Sequence, residues 1–252
     1  MTGGLEQFVV PATDDDLLND RIVAISRQEY ADAVYRRHDF DTRMSALTSA
    51  IAKCVAAYGL SNPGGPGDRR LPSPAPVALA DYRLDSDYDD AATGVLSGRI
   101  PDIVNDSNGL TGNTIARVLT DCNPAVVPEW DSAMQLGWQS WKDHFFYYVG
   151  ESFGPSATVP TGCGTCITVN GAGQYAAAVL FSHERLGALG QVRDAPPLDA
   201  DTKLDISNYL EAANATGHPY TSGAVNLNSA PTGNTFNDLL YCLDSNLSVV
   251  TC

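Results

Sequence analysis

From Asp14 to Tyr58 the chain carries neither proline nor glycine. The last part of that run places Met44, Leu47, Ile51, Cys54, Val55 and Tyr58 at helical spacing, and Gly59, Pro63, Gly64, Gly65 and Pro66 then supply a hard stop. A continuous helix over these residues would be roughly 65 Å long at about 1.5 Å per residue. That exceeds the width of a small domain, so part of it must project, bend or pack against something outside the domain. Thr13 is placed to cap the helix, with Asp14, Asp15 and Asp16 complementing the positive end of its dipole. Arg37-His38-Asp39-Phe40-Asp41 is a polar interruption at which Asp39 or Asp41 could cap a second segment. The stripe Leu47, Ile51, Cys54 and Tyr58 requires a core to face, the expected partner being a sheet. Leu17, Leu18, Ile22, Ile25 and Val34 belong to the half expected to stay exposed until an assembly partner covers it.

At 252 residues and 44% hydrophobic content the chain can bury a sizeable core, as one large domain or two small ones. The formal net charge of −15, with only 15 Lys and Arg, argues against nucleic acid or an anionic membrane surface as partner, since both demand basic patches. Six cysteines suit disulfides in an oxidising compartment, with buried thiols of a cytosolic protein as the alternative. Cys163 and Cys166 are close in the chain, as are Cys242 and Cys252, which leaves Cys54 with Cys122 by elimination. The count alone permits other connectivities. No stretch of about 18 apolar residues is present to span a membrane, so export implies a targeting segment already removed.

Pro63, Pro66, Pro72, Pro74 and Pro76 rule out regular helix over 60–76, and this connection is expected to run extended over the surface. Residues 77–128 read as a long irregular insertion with a short helix near Thr114–Asp121. Trp130, Trp138, Trp141, Phe145, Phe146, Tyr147 and Tyr148 then crowd one segment, in the manner of core more than of a ligand platform. Strands are expected at Cys166–Asn170 and Gln174–Phe181, hairpinned by Gly171-Ala172-Gly173, and at Asn237–Cys242, with a helical turn over Asp205–Ala213. The division is therefore 1–59 helix, 60–128 insertion, and 129–252 sheet and C-terminal loop forming one unit with the helix. The fold class is α+β, a long N-terminal helix packed on an antiparallel sheet, with disulfides.

Motifs that would carry chemistry are incomplete. Cys163-Gly164-Thr165-Cys166 leads into the β-branched Ile167-Thr168-Val169, so the helix N-terminus that activates a redox CxxC is missing, and a structural disulfide or tight turn is expected. His38, His144, His183 and His218 are scattered singly, and His183-Glu184 lacks the second histidine of a zinc-protease helix. Ser156 lacks the glycine that a nucleophile elbow needs at Thr158, and Gly171-Ala172-Gly173 precedes a strand where a dinucleotide loop precedes a helix. The sequence nominates no catalytic residue. Asp81, Asp85, Asp87, Asp89 and Asp90 form the densest carboxylate cluster, whose oxygens at alternate positions could hold calcium; Asp90 and Leu96 break the EF-hand pattern, which favours a solvated acidic loop over a calcium site. The sequons at Asn105, Asn214 and Asn246 carry little weight.

Ile51-Ala-Lys-Cys54-Val-Ala-Ala-Tyr58-Gly-Leu-Ser-Asn62 with its proline-rich step, Cys166-Ile-Thr-Val-Asn170, Ala176–Phe181 leading to Gly190-Gln191-Val-Arg193, Asn208-Tyr209-Leu210-Glu211, and Phe236-Asn237-Asp238-Leu-Leu-Tyr-Cys242 succeed one another along the chain. This order resembles the type IV pilin and type II secretion pseudopilin superfamily. The family's leader site and apolar helix are missing, and Gly3-Gly4-Leu5-Glu6-Gln7-Phe8 resembles the stretch directly C-terminal to such a helix, with Met1 in place of the anchor. The resemblance implies a precursor inserted in the inner membrane through that helix, then processed into a periplasmic or extracellular filament beside other pilin or pseudopilin subunits. The chain's size implies a minor subunit. Two other readings come from the residues themselves: a secreted catalytic or ligand-binding domain using Trp138–Tyr148 with His144 as acid or base, and a calcium-stabilised adhesin or tip subunit.

Overall fold

The computed structural model describes residues 33–61, 63, 65, 67–90, 94–104, 117–157, 162–184, 186–192, 203–216, 218–229 and 236–252. Helix α1 spans Phe40–Leu60. The expected single helix from Asp14 is corrected at its middle: residues 33–35 are helical, the chain turns over 36–39, and α1 starts afresh. The cause is the polar interruption itself. Arg37 and Arg43 both close on the Asp39 carboxylate, at 3.1 and 2.7 Å; a helix brings Arg43 to Asp39 in any case, but a continuous helix would hold Arg37, two residues before, on another side. Asp39 occupies the N-cap position but makes no side-chain cap bond, because its oxygens are taken by the two guanidinium groups. Leu17, Leu18, Ile22 and Ile25 lie outside the described residues. Val34, expected to stand exposed, is half-buried against the core.

The stripe Leu47, Ile51, Cys54 and Tyr58 is buried. It faces a five-stranded antiparallel sheet of order β1-β2-β5-β7-β8, made of Ser97–Arg99, Phe145–Val149, Ala177–Phe181, Leu239–Leu243 and Val249–Thr251 respectively. α1 crosses β5, β7 and β8. Ala50, Ala52 and Ala56 are buried too, because α1 is also covered by helix α2, Ser132–Trp141. α2 starts on a cap visible in the sequence, the Asp131 carboxylate accepting from the amides of Ala133 and Met134.

β2 shows how one strand builds two cores. Alternate side chains leave opposite faces: Phe145 meets Trp138 and Phe181 on the α1 side, while Phe146 meets Tyr209 on the other. All five residues of β2 are buried, as expected of a strand covered on both faces. The aromatic segment is therefore core, and its crowding reflects two packed layers.

The strand expected over 174–181 is two strands. β4, Ala172–Tyr175, pairs with β3, Ile167–Val169, in a small sheet completed by β6, Asn226–Leu227. The chain then passes through Ala176 into β5 and the large sheet with no turn residue to mark the change. The hairpin itself closes on Asn170 and Gly171, both with positive φ, a two-residue turn matched to strand twist.

Two expectations for the insertion are corrected. Residues 71–75 are buried, not spread over the surface: Ala75 exchanges both backbone bonds with Arg99, and the Leu71 amide reaches the Phe153 carbonyl. Proline at 72, 74 and 76 removes the intervening donors, so the segment covers the β1 edge and offers little for further pairing. Gly98 permits the approach, since a Cβ there would lie 2.2 Å from the Ala75 carbonyl oxygen. The helix expected near Thr114–Asp121 is a bridge and turn in its described part, 117–121. The buried Asp102 carboxylate takes the amides of Leu119 and Thr120 and the Arg117 guanidinium, competing for donors a helix would use.

Candidate functional site

At the C-terminal end of α1 lies a groove of about 690 Å³. Its floor is Ala56, Ala57 and Leu60 of α1; one wall is Val126–Glu129 and the other Leu247 and Val249 of the C-terminal hairpin. Each wall is fixed by a disulfide. Cys54–Cys122 joins α1 to the first wall, and Cys242–Cys252 closes β7 on β8 at the second. Trp130 anchors the far end of the first wall, 1% exposed and donating from Nε1 to the Leu119 carbonyl at 3.1 Å. Between these anchors the Asn123 carbonyl accepts from both Val126 and Val127, a tight turn that leaves Val126 54% exposed beside Leu60 at 51%. On the second wall, Asp244 accepts from the amides of Asn246 and Ser248, and Leu247 adopts positive φ with its side chain buried. One ion pair crosses the rim, Lys53 Nζ to Glu129 Oε1 at 2.5 Å, and its hydrogen bond holds the Glu129 carboxyl below its usual value. The arrangement is a braced apolar surface with little polar chemistry.

The third disulfide, Cys163–Cys166, precedes β3 directly. The five aspartates of the candidate calcium cluster do not converge. Asp81 pairs with Arg83 at 2.6 Å, Asp85 accepts from Lys142 and Gln139, Asp87 accepts from the Asp81 amide, and Asp89 sits in a bridge to Ile103 whose carbonyl receives the Asp90 amide. Among the described residues no group of three or more His, Cys, Asp or Glu side chains is placed to hold a metal ion. Proximity in sequence did not become proximity of oxygens: Arg83, Lys142 and the Asp81 amide hold the carboxylates of Asp81, Asp85 and Asp87 respectively.

The proposed acid or base His144 lines no part of the groove at α1. Its Nδ1 lies 3.2 Å from the Ser182 carbonyl, and its ring packs edge-on against Trp141 and Tyr209. A second groove, about 390 Å³, borders Trp130, Trp138, Gln135 and Gln139. Trp138 is only 3% exposed, so its ring face is spent on Tyr88 and Phe145 and is not offered to a ligand.

On the sheet face away from α1 two buried polar centres stand at opposite ends of the segment 203–216. At one end the Arg99 guanidinium, fully buried, donates to the carbonyls of Val77 and Lys203 at 2.8 and 3.0 Å and to that of Asp143. It lies over the rings of Tyr82, Phe146 and Tyr209. Burial pushes the Asp143 carboxyl up, but the charges of His144, Lys203 and Arg99 outweigh it and hold the group at about 2. At the other end Gln191, Glu211, Asn214 and Asp238 meet. These are the segments that carried the family resemblance, so the structure gathers residues that are far apart in the chain. Nothing in their local sequence signals that convergence, nor the exposure of Leu60 and Val126.

Among the described residues no helix is long and apolar enough to cross a membrane. No protein-family model matches the chain, and comparison with curated proteins and with solved structures returns no similar protein.

Proposed function

We propose that the chain is a non-enzymatic subunit, of the minor pilin or pseudopilin kind, of a type IV pilus-like or type II secretion filament. The observation that supports this most is the braced apolar groove at the end of a helix laid across an antiparallel sheet. The occupant we assign is a neighbouring subunit's N-terminal segment, with Leu17, Leu18, Ile22 and Ile25 as its apolar contacts. The groove lies at the C-terminal end of α1, and that segment precedes α1 in the chain. Two different parts of the chain meeting between copies make a heterologous contact, which builds an open filament wherever its rotation does not close a ring. The three disulfides suit a loop-rich domain outside the cytoplasm, in the periplasm or on an extracellular filament.

The test is the reading frame of the precursor. A short leader and an apolar helix of about 20 residues immediately before Thr2 is expected, and an export signal ending directly at residue 2 would overturn the assignment. For the surface itself, Leu60→Asp and Val126→Asp are expected to abolish recovery of the chain in sheared filaments. Their stability cost should stay within about 0.5 kcal/mol, since both side chains are exposed.

A further inference from the structure

Three connecting segments meet at one buried carboxyl pair. Glu211 is 1% exposed and Asp238 7%. Glu211 Oε1 accepts from Gln191 Nε2 at 2.8 Å and Oε2 from the Asn237 amide at 3.0 Å. Asp238 Oδ2 accepts from the Glu211 amide at 3.2 Å and from Asn214 Nδ2 at 2.9 Å. Three of the four carboxyl oxygens therefore have N–H donors, while Asp238 Oδ1 is buried without one. A buried carboxylate oxygen lacking a donor is costly. A proton removes most of that cost, because a buried neutral carboxyl is far less expensive than a buried carboxylate. A metal ion answers the need less well, because the surrounding groups are N–H donors aimed at the pair, whereas a cation wants further oxygens.

We propose that Glu211 and Asp238 form a proton-operated latch. With the proton on Asp238 the pair holds segments 186–192, 208–216 and 236–238 against the sheet, and its loss releases them. Each segment is tied in by name. The Leu186 amide donates to Gln191 Oε1, the Val192 amide to Asn208 Oδ1, and Asn237 Nδ2 to the Glu184 carbonyl. β2 contributes the Tyr148 hydroxyl, which donates to the Asn214 carbonyl, and Asn214 binds the backbone of Asn228 in both directions.

Burial first, and then the charge of Glu211, push the Asp238 carboxyl well above its ordinary range. The other titratable group that faces it is Tyr148, raised by its own burial and then by Asp238. Gln191 and Asn214 are neutral, and among the described residues the groups acting on Asp238 include no cation. Ionisation would thus put a second negative charge beside Glu211 with no described cation to offset it. An acid whose folded value is raised contributes stability that is complete below its unfolded value and is lost as pH rises through the folded one. The latch is therefore closed in acid and opens on the alkaline side. Opening would uncover Leu210 and Phe236, both buried when it is shut.

The experiment is amide exchange of the full chain across a pH series, corrected for intrinsic exchange. Protection of 186–192 and 208–216 is expected to fall by about tenfold per pH unit between the unfolded and the folded value of Asp238, where opening releases one proton, and to level off above the folded value, while α1 and β5 stay protected. Asp238→Asn keeps the shape and supplies an N–H where the protonated oxygen sat, so its profile should be flat. Glu211→Gln removes the repelling charge and should move the transition to lower pH. The infrared band of a protonated carboxyl, read on the unmodified protein near neutrality, decides the matter if neither variant folds. It is expected to be present and to disappear as pH rises through the upper end of the range over which protection falls. A missing band, a pH-independent protection in the unmodified chain, an unchanged fall in Asp238→Asn, or an unmoved transition in Glu211→Gln would each overturn the proposal.

Discussion

Arg99 and Asp238 hold down the two ends of the same segment by opposite solutions to one problem. Arg99 is a buried cation surrounded by three carbonyl oxygens and three aromatic faces. Asp238 is a buried acid with one oxygen unserved, and it meets the cost of burial by holding a proton. The difference is one of permanence. A guanidinium does not titrate in proteins, so the end near Lys203 stays fastened from neutral into alkaline pH, where the end near Glu211 is released.

The largest expected effect comes from breaking the permanent end. Arg99→Met leaves three carbonyls without their donor and should cost about 3–5 kcal/mol, read from urea unfolding, with the loss independent of pH between neutral and alkaline conditions. A cost under about 1 kcal/mol would mean that water replaces the guanidinium and that the contrast between the two ends fails. Next is the covalent brace of the groove. Replacing Cys54 and Cys122 by serine reopens a loop of sequence separation 68 and should cost about 4 kcal/mol on loop-closure entropy. The same change at Cys163 and Cys166, separation 3, should cost about 2 kcal/mol by the same relation. Equal losses would show that strain or packing outweighs chain entropy here.

A smaller effect sharpens the contrast in pH. Asp143, next to Arg99, is held at about 2, so it contributes stability above the ordinary carboxyl value that is lost as pH falls toward 2. That contribution is about 2 kcal/mol for a group so little exposed. Asp143→Asn should flatten the acid limb of a thermal-melt series and leave the alkaline limb alone, the reverse of Asp238→Asn. The smallest effect belongs to the exposed pair at the groove rim: Lys53→Ala should cost under about 1 kcal/mol in unfolding, and less at high salt.

How far the chain could be read depended on whether a feature was local. The stripe Leu47, Ile51, Cys54 and Tyr58 was legible because helical period and burial coincide along α1. The short-range pairs Cys163–Cys166 and Cys242–Cys252 were legible because few residues separate them. The turn over 36–39 was half-legible, since the charges that make it were visible but their mutual attraction competes closely with helix propagation. α2 was missed although Asp131 marks its start, because only Trp138 of its ten residues is buried and the apolar pattern is thin. The division at Ala176 left no trace, as small apolar residues suit either sheet equally.

By itself the sequence determined the α+β class, the buried stripe of α1, the pairing of cysteines close in the chain and the net charge of −15. These come from periodicity, composition and charge, which act over a few residues or over the whole chain at once. The tertiary structure alone decided where carboxylates end up. It gave Asp81, Asp85 and Asp87 separate partners, and it brought Glu211 and Asp238 together from 27 positions apart. The physical reason is that a charge is satisfied by whichever donor lies nearest in space. Chain folding, not sequence spacing, sets that distance.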